Sequence, residues 1–401
     1  FPTNHGQAWQ GELQGTYYRL PEKAKAIVRK PLWDLSRNSA GLSIVFRTNA
    51  PEIKVRYHVT GGLAMAHMPA TGKSGVDLYA TDANGRKRWC AARYSFGDTI
   101  TFNYSNLSYT DDAGHGYEYQ LLLPPYNEVT WLEVGVPQDA KFSFLPVSNE
   151  KPLVIYGTSI AQGACASRPG MTWGNILERE MQHPVINLGF SGNGQLEDEF
   201  FTLLTEIDAK LYIIDCMPNM TNNRTEWIYE RTLNGVKKLR KKSKAPILLV
   251  EHSGYTNDLT SSKAEKSYSN CNIELRKAYQ SLLAEGIEDL YYLTHAEIGL
   301  SMDAFAVSMA KGTVTRNPRP QHYLSVALWF GGFQALMTLL GYFVGARFAP
   351  LVERYDHWIS FALLSILGIM MIWEAFCVEK SENVKPDFSV KTMLAMAVAT
   401  S

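Results

Sequence analysis

Two long uncharged runs near the end of the chain restrict its fold more than any other feature. Residues 323–346 pass 24 positions without Asp, Glu, Lys or Arg, and residues 358–378 pass 21 with one acid, Glu374. At about 1.5 Å per residue, each run reaches across a hydrocarbon core of about 30 Å. A buried core helix explains one such run more easily than two in tandem, so residues 299–401 are predicted to be α-helical transmembrane segments in a lipid bilayer. Residues 298–310 are weaker: 13 residues containing Asp303, too short to span alone. Residues 388–401 open another apolar stretch and stop within it, which is the pattern of a truncated reading frame. The first residue is Phe1, so a targeting segment is expected to have been removed or never included.

The rest of the chain is different in kind. Its 401 residues carry 39 basic and 39 acidic side chains, and a formal charge of zero argues against a nucleic-acid binder. Five cysteines, an odd number with no close pairs, exclude a disulfide scaffold and a Cys-x-x-Cys zinc site.

Residues 1–150 read as all-β. In residues 52–60, Ile53, Val55, Tyr57 and Val59 alternate with Lys54, Arg56 and His58, the period of a half-buried strand. Residues 41–48, 76–80, 99–104, 117–123 and 129–136 are further short runs, separated by turn-forming clusters such as residues 82–85 and Pro124-Pro125. Many short strands at this spacing predict a sandwich or jelly roll, with no helix of any length. Gly72-Lys73-Ser74 lacks the upstream glycine of a phosphate-binding loop and is expected to be a plain loop.

Residues 151–298 change period. Apolar strands at 153–156, 185–188, 211–215, 247–251 and 290–293 alternate with helical stretches at 172–181, 196–205, 226–242 and 263–285. That alternation predicts an α/β domain with a parallel sheet covered on both faces and a site at the carboxyl ends of its strands. The basic run from Lys237 to Lys244 marks a solvated helix end.

The strand ends carry the chemistry. The first runs into Gly157-Thr158-Ser159-Ile160. A serine directly after a buried parallel strand is a candidate nucleophile, since the turn exposes its hydroxyl and the next helix favours negative charge; a helix N-cap is the plain alternative. The second runs into a loop with Gly189, Gly192 and Gly194, where backbone N–H groups can approach a ligand or simply make a turn. The third is followed by Asn219, an amide able to face a developing oxyanion, or only a turn residue after Pro218. Together they form an acyl-transfer constellation.

At these residues the chain resembles the SGNH hydrolases, flavodoxin-like esterases. The resemblance implies Ser159 as nucleophile, with Gly192 and Asn219 as oxyanion donors and no cofactor. Thr158 stands where the family carries Asp. Upstream, Gly75-Val76-Asp77-Leu78-Tyr79 is similar to the Gly-x-Asp-Leu-Tyr signature of a β domain that precedes one esterase branch. Members of that branch act on acylated carbohydrate outside the cytoplasm, which implies an acylated saccharide as substrate. The chain departs from the family at the base, because no aspartate after Ser159 has a histidine three residues later. His252 is expected to line the cleft at a strand end, and His295 to be a surface loop residue. Without a base the serine hydroxyl is a poor nucleophile near neutral pH.

The tail carries a second resemblance. Residues 299–308, with residues 328–334 and 356–359, are similar to the first three helices of the manganese efflux pump family. The resemblance implies Mn2+ as a transported ion. Acids at membrane depth are functional candidates, and Asp303, Gln334 and Glu374 offer the hard oxygen ligands that suit manganese. Only half of that family's two-half fold is present, and the meeting of the two resemblances near Gly299 looks like a recombination or assembly join.

The reading is a serine esterase impaired by its missing base. The rival readings are a manganese exporter fragment and an inactive carbohydrate-binding module tethered to a membrane. Loop 311–322 holds Lys311, Arg316 and Arg319 with no acid, so the positive-inside rule puts it in the cytoplasm. If residues 298–310 also span, the hydrolase-like domain lies in the periplasm or outside the cell. Residues 1–295 expressed alone are expected to be soluble where the full chain needs detergent; a full chain that is monodisperse without detergent would refute the membrane assignment.

Overall fold

A computed structural model of the chain describes residues 4–82, 85–107, 117–257 and 260–299. Phe1–His295 form one compact unit and Ala296–Ser401 a second. The predicted membrane segments and the ion ligands Asp303, Gln334 and Glu374 lie outside the described residues. Among the described residues no helix is long and apolar enough to cross a membrane.

Among the described residues the β-rich part holds ten strands: β1 (Asn4–His5), β2 (Ser43–Thr48), β3 (Ile53–Val59), β4 (Asp77–Thr81), β5 (Lys87–Cys90), β6 (Arg93–Ser95), β7 (Ile100–Tyr104), β8 (Tyr117–Leu122), β9 (Val129–Gly135) and β10 (Phe142–Phe144). One sheet runs β1-β2-β8-β4-β5, with β10 also on β2, and the other runs β6-β7-β3-β9. The described pairs in both are antiparallel. The alternation read in β3 is realised: Ile53, Val55, Tyr57 and Val59 are buried while Lys54 and Arg56 face water. Phe46, Tyr57, Leu78, Phe102 and Leu121 meet between the two sheets as a sandwich core.

The expectation of a helix-free amino-terminal region is corrected. Helix α1 (Lys30–Ser36) follows a 3-10 turn at Glu22–Ala26, and α2 (Ala70–Lys73) adds one turn. Gly72 and Lys73, read as loop, end α2, and the buried Lys73 donates to the Gly62 carbonyl. Such short helices show too few periods to register in a sequence and are held by packing. Trp9, Leu20, Leu32 and Trp33 join the core of the α/β sheet rather than that of the sandwich.

The α/β sheet contains β11 (Leu153–Gly157), β12 (Val185–Gly189), β13 (Leu211–Asp215), β14 (Ile247–Val250) and β15 (Leu290–Leu293). All pairs are parallel in the order β12-β11-β13-β14-β15, the flavodoxin-like arrangement. Its helices are α3 (Ser159–Gln162), α4 (Trp173–Met181), α5 (Asp198–Leu204), α6 (Ile228–Arg240) and α7 (Ser262–Ala284). One face packs Tyr156, Tyr212 and Ile214 against Phe200, Phe201, Leu239 and Leu275. On the other, Gly174 of α4 lies against Ile155 and Asn187. A ligand site is expected where the strand order reverses, between β11 and β13.

The Gly-x-Asp-Leu-Tyr segment joins the two halves. Leu78 is fully buried in the sandwich. Asp77, also buried, accepts from Trp89 Nε1 at 2.6 Å and from the Gly170 N–H at 3.0 Å, and lies 3.0 Å from Arg168. The Arg179 guanidinium lies over the Tyr79 ring at 5.0 Å. Residues 168–172 belong to the loop that follows the Ser159 turn, so the signature aspartate anchors that loop. Asp77→Ala would leave these donors unpaired and is expected to cost about 3 kcal/mol, read as a lowered urea midpoint of the full chain in detergent. An unchanged midpoint would refute this role.

Candidate active site

Ser159 opens α3 at the carboxyl end of β11, the central strand. Thr158 is its N-cap, accepting from the Ile160 N–H at 3.4 Å. Gly157 precedes them in a tight place. A Cβ there would lie 2.7 Å from the Asp215 carbonyl oxygen and 2.8 Å from the Ala161 Cβ, so only glycine fits. Ser159 is half-buried, and neither its hydroxyl nor its N–H has a hydrogen-bond partner among the described residues. The helix expected to follow is one turn ended by Gly163 in the left-handed region. Free N–H groups, rather than a long helix dipole, therefore supply the attraction for negative charge.

Gly192 sits exposed at φ +67, a conformation that favours glycine, and its N–H has no acceptor among the described residues. Around it the loop is tightly held. Gln195 Nε2 donates to the Gly192 carbonyl at 3.2 Å, and Arg29 donates to Asn193 Oδ1 at 2.9 Å. Asn219 stands in the 3-10 turn Met217–Asn219 after β13. Its Nδ2 donates to the carbonyls of Asn193 and, at 3.3 Å, Phe190. The Asn219 amide, after the third strand, is thus engaged as a clamp on the glycine loop after the second.

Several residues that secure this arrangement gave no sequence signal. Arg19, fully buried, donates to the Gly189 carbonyl at 2.6 Å and the Asn187 carbonyl at 3.3 Å. Tyr126 from the sandwich donates to the Ser159 carbonyl at 2.9 Å, and burial raises its hydroxyl pKa to about 12. Asn187 in β12 donates to the Ala161 carbonyl at 2.7 Å and accepts from the Gly189 N–H at 2.9 Å. A cavity of about 400 Å3 lies behind the loop, between Ile27, Leu32, Phe200, Trp227 and Arg231. A larger cleft of about 720 Å3 lies at the amino ends of β11 and β12, away from Ser159. Its Lys151–Asp208 and Lys87–Glu178 pairs bring opposite charges together, and His183 Nδ1 lies 3.0 Å from Glu150.

Neither His252 nor His295 completes a triad with Ser159. His252 follows β14, two strand spacings or roughly 10 Å from β11. It was expected to line the cleft but is buried at 2% exposure. Its Nδ1 accepts from the Gly254 N–H at 2.9 Å, so Nε2 carries the proton of the neutral ring and has no partner among the described residues. Burial, then the neighbouring His295, pushes its pKa down to about 4. A ring with its lone pair occupied and its proton on the free nitrogen cannot accept a proton from a serine. His295 lies a strand farther away. It is not a free loop residue: its N–H donates to Glu251 at 2.7 Å and its ring stacks on Tyr268. Asp215 ends β13 in register with Gly157, and burial raises its pKa to about 6. No group of three or more metal-ligating side chains occurs among the described residues.

Comparison with known proteins gives three matches along the chain. Residues 150–311 match the GDSL-like lipase/acylhydrolase family, and residues 2–142 match the family described as the N-terminus of SGNH-hydrolase-type esterases. Residues 317–401 match the family described as "Putative manganese efflux pump". A solved structure described as a "putative GDSL-like lipase" from Bacteroides ovatus is 30% identical with a TM-score of 0.66, covering 73% of this chain and 84% of that one. A salicylyl-acyltransferase from a tetracycline biosynthetic pathway shares the fold at 18% identity, with a TM-score of 0.57 over 74% of this chain and 83% of that one. In the tail, a manganese efflux pump of that description from Campylobacter jejuni strain 81-176 is 48% identical over 113 residues, 28% of this chain and 60% of the relative. One from Bifidobacterium adolescentis is 50% identical over 106 residues, 26% of this chain and 56% of the relative. The chain thus spans 60% or less of the length of these two curated relatives.

His252 predicts a pH signature. Its folded pKa, about 4, lies below the ordinary value of 6.5, so its contribution to stability is complete above pH 6.5 and is lost as pH falls through 4. The full contribution is about 3 kcal/mol. Thermal unfolding of the full chain and of His252→Gln between pH 7 and 4 is expected to show a steeper loss for the unsubstituted chain. Parallel curves would refute it.

Proposed function

Over residues 150–311 the chain belongs to the GDSL-like lipase/acylhydrolase family, preceded over residues 2–142 by the N-terminal domain of SGNH-hydrolase-type esterases, and we propose that this part is a serine esterase for acyl groups on a carbohydrate. The observation that carries this reading is the Ser159 hydroxyl, free of hydrogen bonds at the central strand end, with unoccupied N–H groups on Ser159 and Gly192. Ser159 Oγ attacks the ester carbonyl carbon, and the carbonyl oxygen becomes an oxyanion facing those N–H groups. Asn219 joins them by turning its amide from the loop carbonyls to the oxyanion. Collapse expels the alcohol and leaves an acyl-serine, which water hydrolyses to regenerate Ser159. Both half-reactions need a group to accept and return a proton, and neither His252 nor His295 is arranged to do so.

A second reading concerns the tail, on the strength of 48% identity over 113 residues. It is a membrane-associated segment related to manganese exporters, with Mn2+ as cargo and Asp303, Gln334 and Glu374 as candidate oxygen ligands. The matched segment spans 60% of that relative's length. The charge pattern of the loops favours a hydrolase-like part in the periplasm or outside the cell. The third reading, an inactive tethered module, applies if Ser159 proves unreactive.

Loss of one member of a catalytic triad costs about four orders of magnitude in turnover. The full chain is therefore expected to hydrolyse p-nitrophenyl acetate that much more slowly than a family member with an Asp-x-x-His base, with the residue abolished by Ser159→Ala. A residual rate that rises through pH 6 and vanishes in Asp215→Asn would identify Asp215 as the stand-in acceptor. Robust turnover would overturn the impaired-enzyme reading.

A further inference from the structure

Gln162 lies one turn after Ser159, wholly buried, and belongs to no group that reacts. Its side chain nevertheless uses both ends of its amide. Oε1 accepts from the Ser191 N–H at 2.9 Å, the peptide immediately before Gly192. Nε2 donates to Asn38 Oδ1 at 3.1 Å and to the Pro125 carbonyl at 3.0 Å, both from the amino-terminal region. The connection continues in both directions. The Asn38 carbonyl accepts from Arg19 Nε at 2.8 Å, and the same guanidinium holds the Gly189 carbonyl at 2.6 Å and lies 4.7 Å from the Phe190 ring centroid. Tyr126, next to Pro125, donates to the Ser159 carbonyl. The nucleophile turn and the glycine loop therefore share one internal reference point, supported from outside the α/β sheet.

A buried primary amide with all its partners in place fixes position more firmly than packing alone, because rotating it leaves several polar groups unpaired. Displacement of a catalytic group by about 1 Å can cost a factor of about 100. We infer that Gln162 is a positioning residue: it sets the Gly192 N–H relative to Ser159 and ties that setting to the amino-terminal region through Asn38 and Pro125. The inference rests on the serine-esterase reading.

The test needs a probe that forms a tetrahedral adduct without a general base, and phenylboronic acid does so. Ser159 Oγ adds to the trigonal boron, its proton passes to buffer, and the anionic boronate places an oxygen against the oxyanion N–H groups. Binding to the full chain in detergent is followed by boron NMR, alongside p-nitrophenyl acetate kinetics. Ser159→Ala should abolish binding. Gln162→Met, of similar length but without the amide, should weaken it about tenfold, with a comparable fall in kcat and KM within about twofold. Should Gln162→Met fail to fold, Asn38→Ala, which removes only one outward link, should still weaken binding several-fold. A folded variant of either kind that binds as tightly as the parent overturns the positioning role and leaves the esterase reading standing. Failure of the parent chain to bind the boronate overturns both.

Discussion

A guanidinium buried without a carboxylate organises the joint between the two halves of the hydrolase-like unit. Arg19 is 2% exposed, and burial lowers its pKa to about 9, so it stays charged near neutrality. A charge in that position is tolerable only if its N–H groups are well met. The carbonyls of Leu35, Asn38, Asn187 and Gly189 meet them, with the Phe190 face below. Those carbonyls come from the end of α1 with the turn after it and from the end of β12, which must converge on one point. The convergence carries Leu20, Leu32 and Trp33 into the core of the α/β sheet. The amino-terminal segment is thus part of the floor under the glycine loop.

Much of the architecture was legible because it rests on periodicity. The five parallel strands and four of the helices of the α/β part fall within about two residues of where alternating apolar runs placed them, and β3 reads directly from Ile53, Val55, Tyr57 and Val59. Strands β5, β6 and β10 were missed because their side chains are half-exposed or exposed and leave no alternating pattern. The strand-end positions of Ser159, Gly192 and Asn219 could be read from local motifs. Arg19, Gln162 and Tyr126 could not, since each acts on a partner more than 25 residues away. His252 shows the same limit in reverse. Its place after β14 was readable, but burial and the Gly254 N–H, which remove it from base chemistry, were not.

The site is thus organised unevenly. Its electrophilic side is elaborately supported: Gln195, Arg29, Gln162 and Asn219 all hold the glycine loop. Its proton-accepting side has a serine without a partner among the described residues and two histidines directed elsewhere. Donor N–H groups held in place stabilise a developing charge whether or not a base is present, because they act on the substrate oxygen rather than on the serine proton.

Glu251 gives this imbalance an evolutionary side. Buried behind β14, it accepts from Arg276 of α7 at 2.7 Å, from Tyr292 of β15 at 2.7 Å and from the His295 N–H at 2.7 Å. The last strand of the sheet is thereby fastened by residues that all precede Ala296. A domain whose closing latch lies wholly within its own residues can keep its architecture whatever sequence continues beyond it. Its fold and its chemistry are then exposed to selection separately.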